Sequence, residues 1–97
     1  TAGIAAPAVV LELADAMAAN DTDRIRAAVP GDPYGLLTKE MGNWSFGEVT
    51  GVDALATYQD EGRTATELVV HGRTSSGSPL LINLIVHVEG GVIVNFR

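Results

Sequence analysis

The sequence predicts one α+β domain, in which three N-terminal helices pack on a curved antiparallel sheet of four or more strands. Apolar residues recur at helical spacing up to about residue 41, and from residue 48 onward they follow the period of strands. Helices followed by consecutive hairpins are the order typical of α+β domains. A length of 97 residues is near the lower end of the usual domain size, so we expect a single domain over 1–97.

The first two helices are expected to meet at residues 20 and 21. Pro7 suits the first turn of a helix, where its missing N–H is not needed. The apolar stripe of this helix consists of Val9, Val10, Leu13 and Met17. We expect Asn20 to end the helix in a left-handed conformation and Asp21 to cap a short second helix over 22–29.

The third helix and the four strands follow from turn signals and from the period of the apolar residues. After the turn at 30–33, a short helix is predicted from Tyr34 to about Met41. The predicted strands are 48–60 with a bend at Gly51, 64–74, 80–88 and 92–97. The third strand is the longest apolar run in the chain, so we expect it to be central in the sheet.

Matching apolar residues across strands predicts the register of the sheet. The predicted register needs a five-residue turn at 75–79 and a three-residue turn at 89–91. The inner set of the first strand is then Val52, Ala54, Ala56 and Tyr58. The expected rows of the outer face are Asp53, His71, Asn83 and Arg97; Leu55, Val69, Ile85 and Asn95; and Thr57, Glu67, His87 and Ile93.

The outer face carries more apolar residues than a solvated sheet face should. A contiguous apolar patch on such a face indicates a binding partner. The predicted interface consists of Leu55, Val69, His71, Leu81, Asn83, Ile85, His87 and Ile93. We expect a homodimer or a protein partner there; the alternative is that upstream sequence, or the segment near Trp44, covers the patch.

Charge and composition exclude several classes of partner. Twelve acidic residues against six basic ones give a net charge of −6, which argues against binding nucleic acid or anionic membranes. No apolar run approaches the ~18 residues needed to span a bilayer, so no membrane insertion is expected. The absence of cysteine excludes thiolate chemistry, and we expect no cofactor.

The two histidines are the main candidates for chemistry. Asp53 and His71 are expected to be cross-strand neighbours, and a carboxylate that orients an imidazole is the core of a general base. They lie on the outer face without a nucleophile beside them, so a surface ion pair or an interface contact explains them better. The same holds for Glu67 and His87. The predicted rows separate the histidines, so no metal site is expected.

A second set of residues lies where the open end of the sheet would meet the helices. Its members are Met17, Tyr34, Met41, Trp44, Tyr58 and Phe96. They could line an apolar pocket for a small apolar ligand. The alternative is plain core packing, because a small core needs a few aromatic residues in any case.

The order of elements resembles a known superfamily. Its specific pieces are the junction Asn20-Asp21-Thr22-Asp23 and the closing hairpin over 86–96, with Gly90-Gly91 before Val92-Ile93-Val94-Asn95-Phe96. This pattern is similar to the nuclear transport factor 2-like superfamily, which includes ketosteroid isomerase and polyketide cyclases. The resemblance implies a cone-shaped fold with an apolar pocket, and often a dimer. Its enzymes place carboxylates inside the cone, and no inner position here carries one.

We therefore expect a non-catalytic domain that self-associates or binds a protein through its outer sheet face. The alternative is a small-molecule-binding protein, or an isomerase- or cyclase-type enzyme, with an apolar ligand in the cone. The chain starts at Thr1 rather than Met, so a third hypothesis is a domain of a larger exported or membrane-anchored protein. A cytoplasmic location is otherwise expected.

Overall fold

The predicted α+β architecture is confirmed by a computed structural model, which describes residues 5–40 and 46–97. The elements are α1 (Ala8–Ala18), α2 (Thr22–Ala28), α3 (Pro33–Glu40), β1 (Phe46–Asp60), β2 (Arg63–Thr74), β3 (Pro79–Glu89) and β4 (Val92–Phe96). The strands form an open sheet in the order β1-β2-β3-β4, and all neighbours are antiparallel. The expected cone shape stays a prediction.

The junction between α1 and α2 has the predicted conformation and also attaches the helices to the sheet. Asn20 adopts a left-handed φ of 55°, and the Asp21 carboxylate accepts a hydrogen bond from the Arg24 N–H at 3.2 Å. The Asn20 amide donates to the Val49 carbonyl and accepts from the Val49 N–H, both at 2.9 Å. Because β1 is an edge strand, this amide satisfies backbone groups that no neighbouring strand reaches.

An ion-pair cluster ties α2 to α1 on the solvent side. The Arg24 guanidinium donates to Glu12 at 2.9 Å and to Asp15 at 2.6 Å. The hydrogen bonds to Asp15 and Glu12 raise the pKa of Arg24 above its ordinary value, and the bond to Asp15 has the larger effect. All three side chains are well exposed, so we assign the cluster little weight in stability.

The hydrophobic core lies between the helices and the inner face of the sheet. Its fully buried large side chains are Val10, Leu13, Met17, Val29, Leu37, Leu68, Val70, Leu84, Val86 and Ile93. Helix α1 packs on β1 and α2, and α3 packs on β4. The predicted inner positions of β2 and β3 are confirmed, because Leu68, Val70, Leu84 and Val86 all belong to this cluster.

The register between β2 and β3 differs from the predicted one by two residues. The loop at this hairpin has three residues rather than five: the Thr74 N–H donates to the Ser78 carbonyl at 2.9 Å, and Gly77 has a φ of 88°. A glycine at the left-handed position is typical of three-residue hairpins. Leu68 thus pairs with Leu84. A shift of two residues leaves every side chain on its predicted face.

The register between β3 and β4 was also predicted wrongly, and here a face changes. Gly90 and Gly91 form a two-residue turn with φ values of 62° and 79°, as type I′ hairpins require. A bulge then follows, because His87 pairs with Asn95 whereas Val88 pairs with Ile93. The extra residue turns Ile93 into the core, where it is 1% exposed.

Strand β1 contains a bulge that moves Tyr58 to the outer face. Ala54 pairs with Leu68 and Thr57 with Thr66, so two residues of β1 oppose Glu67. Thr57 therefore points inward, with its hydroxyl 3.0 Å from that of buried Thr66. The prediction that Tyr58 belongs to the inner set was wrong. A second register shift between Val49 and Gly51 coincides with the bend that was predicted at Gly51.

Candidate functional site: the outer face of the sheet

The outer face is the side of the sheet opposite to the helical core. The observed pairing gives its rows as Gly51, His71 and Leu81; Asp53, Val69 and Asn83; Glu67 and Ile85; and Tyr58, Ala65, His87 and Asn95. These rows divide the face into an apolar centre and two ends, each of which holds one histidine–aspartate pair.

The apolar centre consists of Leu55, Val69, Leu81 and Ile85, which we call the outer patch. Leu55 is 63% exposed and Leu81 is 56% exposed, whereas Val69 and Ile85 are half-buried. A groove of about 240 Å³ lies at Leu55, Val69 and Ile85. Its lining also includes the polar residues Glu67 and Asn83 but not Leu81. Leu55 and Leu81 lie on different strands and in different rows of the face, with Val69 between them. An exposed apolar patch of this kind indicates a surface that a partner covers.

Asp53 and His71 form the first histidine–aspartate pair, beside Leu81. The His71 Nε2 lies 3.0 Å from the Asp53 Oδ2, which confirms the predicted contact. The pair is diagonal rather than directly opposite, because Asp53 faces Val69 and His71 faces Gly51. Both side chains are well exposed, so this pair contributes little to stability.

Asp60 and His87 form the second pair, and it is of a different kind. The His87 Nε2 lies 3.2 Å from the Asp60 Oδ2, so the partner of His87 is Asp60 and not the predicted Glu67. The pair bridges β1 and β3 across β2, where Ala65, directly opposite His87, offers a small side chain. His87 is only 4% exposed, which corrects its prediction as an accessible interface residue.

The imidazole of His87 leaves one nitrogen without a partner. A carboxylate can only accept a hydrogen bond, so Nε2 carries the proton that binds Asp60. The other ring nitrogen, Nδ1, is buried with no hydrogen-bond partner among the residues that the structure describes. Buried polar atoms are nearly always paired, so an unpaired one indicates a functional constraint.

A pocket of about 200 Å³ adjoins this pair, and we call it the polar pocket. It is lined by Asp60, Glu61, Arg63, His87, Asn95 and Arg97. Every one of these residues is polar or ionisable, in contrast to the outer patch beside it. Arg63 is also paired with Glu89, at 3.4 Å between Nε and Oε2. The polar pocket was not predicted, because the predicted register of β4 placed Asn95 beside Ile85 rather than beside His87.

The other predicted interface residues have mixed outcomes. Asn83 is exposed in the centre of the outer face, and His71, with 44% of its side chain exposed, lies beside Leu81. Ile93 belongs to the core and not to the interface, because the bulge in β4 turns it inward.

The residues expected to line an apolar pocket do not all lie together. Met17 and Phe96 are buried in the core cluster. Tyr34 is half-buried, and the Arg26 guanidinium stacks 4.9 Å from its ring centroid. Tyr58 is on the outer face. Met41 and Trp44 lie outside the described residues, so the apolar pocket stays a prediction.

No protein-family model matches this chain, and no curated protein or solved structure is similar enough to count as a match. Among the described residues, no helix is long and apolar enough to cross a membrane. Within residues 5–40 and 46–97, no three histidine, cysteine, aspartate or glutamate side chains are arranged to hold a metal ion. The candidate function therefore depends on the outer face itself.

Proposed function

We propose that this protein is a small domain of the nuclear transport factor 2-like type that self-associates through the outer face of its sheet. The observation that carries the proposal is the outer patch, where Leu55 and Leu81 each expose more than half of their surface. The helices cover only the other face. The proposed occupant of the outer face is a second copy of the chain.

The size of the face supports a second copy as its partner. Strand β3 has 11 residues, so it is ~37 Å long at ~3.4 Å per residue, and four strands at ~4.8 Å spacing make the face ~19 Å wide. The area of the outer face is therefore ~700 Å². A stable interface of standard size buries about 800 Å² on each partner, so the face alone comes close to that area.

The chemistry of the face is also self-complementary. A two-fold dimer places the same surface against itself, so an apolar centre meets an apolar centre. Asp53 and His71 add one acid and one imidazole to the same face, so the face does not carry charge of one sign. A surface of one charge sign would instead repel its own copy.

The test is a pair of single substitutions that insert a charge on different faces. Leu81→Asp places a carboxylate in the outer patch, whereas Leu11→Asp places one on α1, where Leu11 is 52% exposed. We expect wild type and Leu11→Asp to sediment as dimers and Leu81→Asp to sediment as a monomer with unchanged circular dichroism. A monomeric wild type, or a dimer in Leu81→Asp, would contradict the proposal.

A further inference from the structure

The polar pocket brings together hydrogen-bond donors and acceptors from different strands. Asp60 and Glu61 come from the end of β1 and its turn, whereas Asn95 and Arg97 come from the end of β4. Arg97 is held in place by two backbone hydrogen bonds to Ile85, at 3.0 and 3.2 Å. The β1 side of the pocket therefore has two carboxylates, with Arg63 of β2 opposite Asp60, and the β4 side has Asn95 and Arg97.

His87 forms part of the lining between these two sides, and its burial is the observation that points to a ligand. The side chain is more than nine-tenths buried, lines the pocket and carries an unpaired Nδ1. An apolar side chain would fill the same space without that cost. What the imidazole provides is a hydrogen bond that holds the half-buried carboxylate of Asp60, which also lines the pocket. A carboxylate held in one orientation by a buried partner is typical of a binding site.

The balance of charge selects the class of ligand. Apart from His87, the two acids of the lining balance its two arginines. Arg63 is engaged by Glu89 and Asp60 by His87, whereas Glu61 and Arg97 make no ion pair among the described residues. A simple anion would add negative charge to a protein whose net charge is already −6. A simple cation would leave Arg97 and Asn95 unused.

From this arrangement we propose that the polar pocket binds a small zwitterion, with an ammonium group at Asp60 and Glu61 and a carboxylate at Arg97 and Asn95. The volume of about 200 Å³ equals that of roughly seven water molecules at ~30 Å³ each. A free amino acid of moderate size fits this space. The inference does not rest on the proposed self-association.

The test is an NMR titration of the ¹⁵N-labelled protein with L-glutamine and with two analogues that each lack one charge. The analogue 4-carbamoylbutanoate lacks the ammonium, and 4-aminobutanamide lacks the carboxylate. We expect L-glutamine to shift the amide resonances of Glu61, Gly62 and Asn95 with millimolar affinity. Each analogue should bind at least about tenfold more weakly, because one charge-assisted set of hydrogen bonds is lost.

Matched variants separate the pocket from the rest of the outer face. Asp60→Asn and Arg97→Gln should each weaken L-glutamine binding about tenfold, whereas Asp53→Asn, which alters the other histidine–aspartate pair, should not. Leu81→Asp should bind at least as tightly as the wild type, because the pocket lies at one end of the face that the proposed dimer covers. Failure of the dimer and failure of the pocket are therefore distinguishable. Circular dichroism checks the fold of each variant.

Three results would overturn the inference. The first is that L-glutamine causes no shifts up to its solubility limit. The second is that one analogue binds as tightly as L-glutamine, which makes the pocket a simple anion or cation site. The third is that Asp53→Asn weakens binding as much as Asp60→Asn does, since the effect would then come from the general field of the protein.

Discussion

Replacing His87 by leucine should stabilise the fold, because the native imidazole is buried with one nitrogen unpaired. An unsatisfied buried polar atom costs about 1–3 kcal/mol. The hydrogen bond to Asp60 returns less than the ~1.5–3 kcal/mol of a buried bond to a charged group, because the Asp60 side chain is 37% exposed and screened by water. Leucine has a similar volume and no polar atom. Asp60 is half-buried and can be hydrated once it loses its partner. We expect a gain of about 1 kcal/mol in the free energy of unfolding.

The assay is urea unfolding followed by circular dichroism at one fixed protein concentration, because association would make the apparent stability depend on concentration. A gain of about 1 kcal/mol corresponds to a rise in Tm of roughly 4–8 °C for a domain of this size. The matched control is His71→Leu, which removes the exposed histidine of the other pair and should change stability by less than about 0.5 kcal/mol. A loss of more than about 1 kcal/mol in His87→Leu would refute the reasoning, because it would mean that the pair with Asp60 outweighs the unpaired nitrogen.

Two further predictions concern the backbone. Asn20→Gly keeps the left-handed conformation but removes both hydrogen bonds to Val49, so it should cost about 2 kcal/mol in urea unfolding. Asn20→Ala should cost about 1 kcal/mol more, because alanine disfavours that φ; equal costs would show that the conformation is not the constraint. Gly91→Ala should destabilise by about 1 kcal/mol, because φ is 79° there. Gly35→Ala in α3 should stabilise by about 0.5–1 kcal/mol, since its added methyl meets nothing within 4 Å. Opposite signs in thermal unfolding of these two variants are expected, and equal signs would contradict the argument.

Local chemistry was the reliable part of the sequence-based prediction. Asn20 and Asp21 carry the conformational preference that their positions need, so the helix junction could be predicted from them alone. The alternation of apolar residues in β2 and β3 likewise identified the inner face, because a shift of two residues does not change it. The faces of β2 and β3 were therefore assigned correctly although their predicted register was wrong by two residues.

The errors came from loop lengths and bulges. Gly77 permitted a shorter hairpin loop than the matching of apolar residues had suggested. The bulges at Ala54–Thr57 and in β4 each inserted one residue. The first moved Tyr58 from its predicted inner position to the outer face, and the second moved Ile93 from its predicted outer position into the core. Bulges depend on tertiary packing and twist, so the apolar pattern of β1 and β4 did not predict them.

The candidate site was predicted in part. The outer patch and the contact between Asp53 and His71 were predicted from the alternation of apolar and polar residues along the strands. Both depend mainly on which face a side chain occupies and less on the exact register. The polar pocket did not, because Asp60 reaches His87 across an intervening strand over a small Ala65. To predict a contact between strands that are not neighbours, the registers of two hairpins must both be known.

The central claim is that a second copy covers the outer patch, and isotope-filtered NOE spectroscopy on a mixture of labelled and unlabelled chains tests it most directly. The account predicts intermolecular contacts from the methyl groups of Leu55, Val69, Leu81 and Ile85. It predicts none from Leu11 or Leu36, which are exposed on the helices. Intermolecular contacts that involve the helical leucines and omit the outer patch would contradict the account.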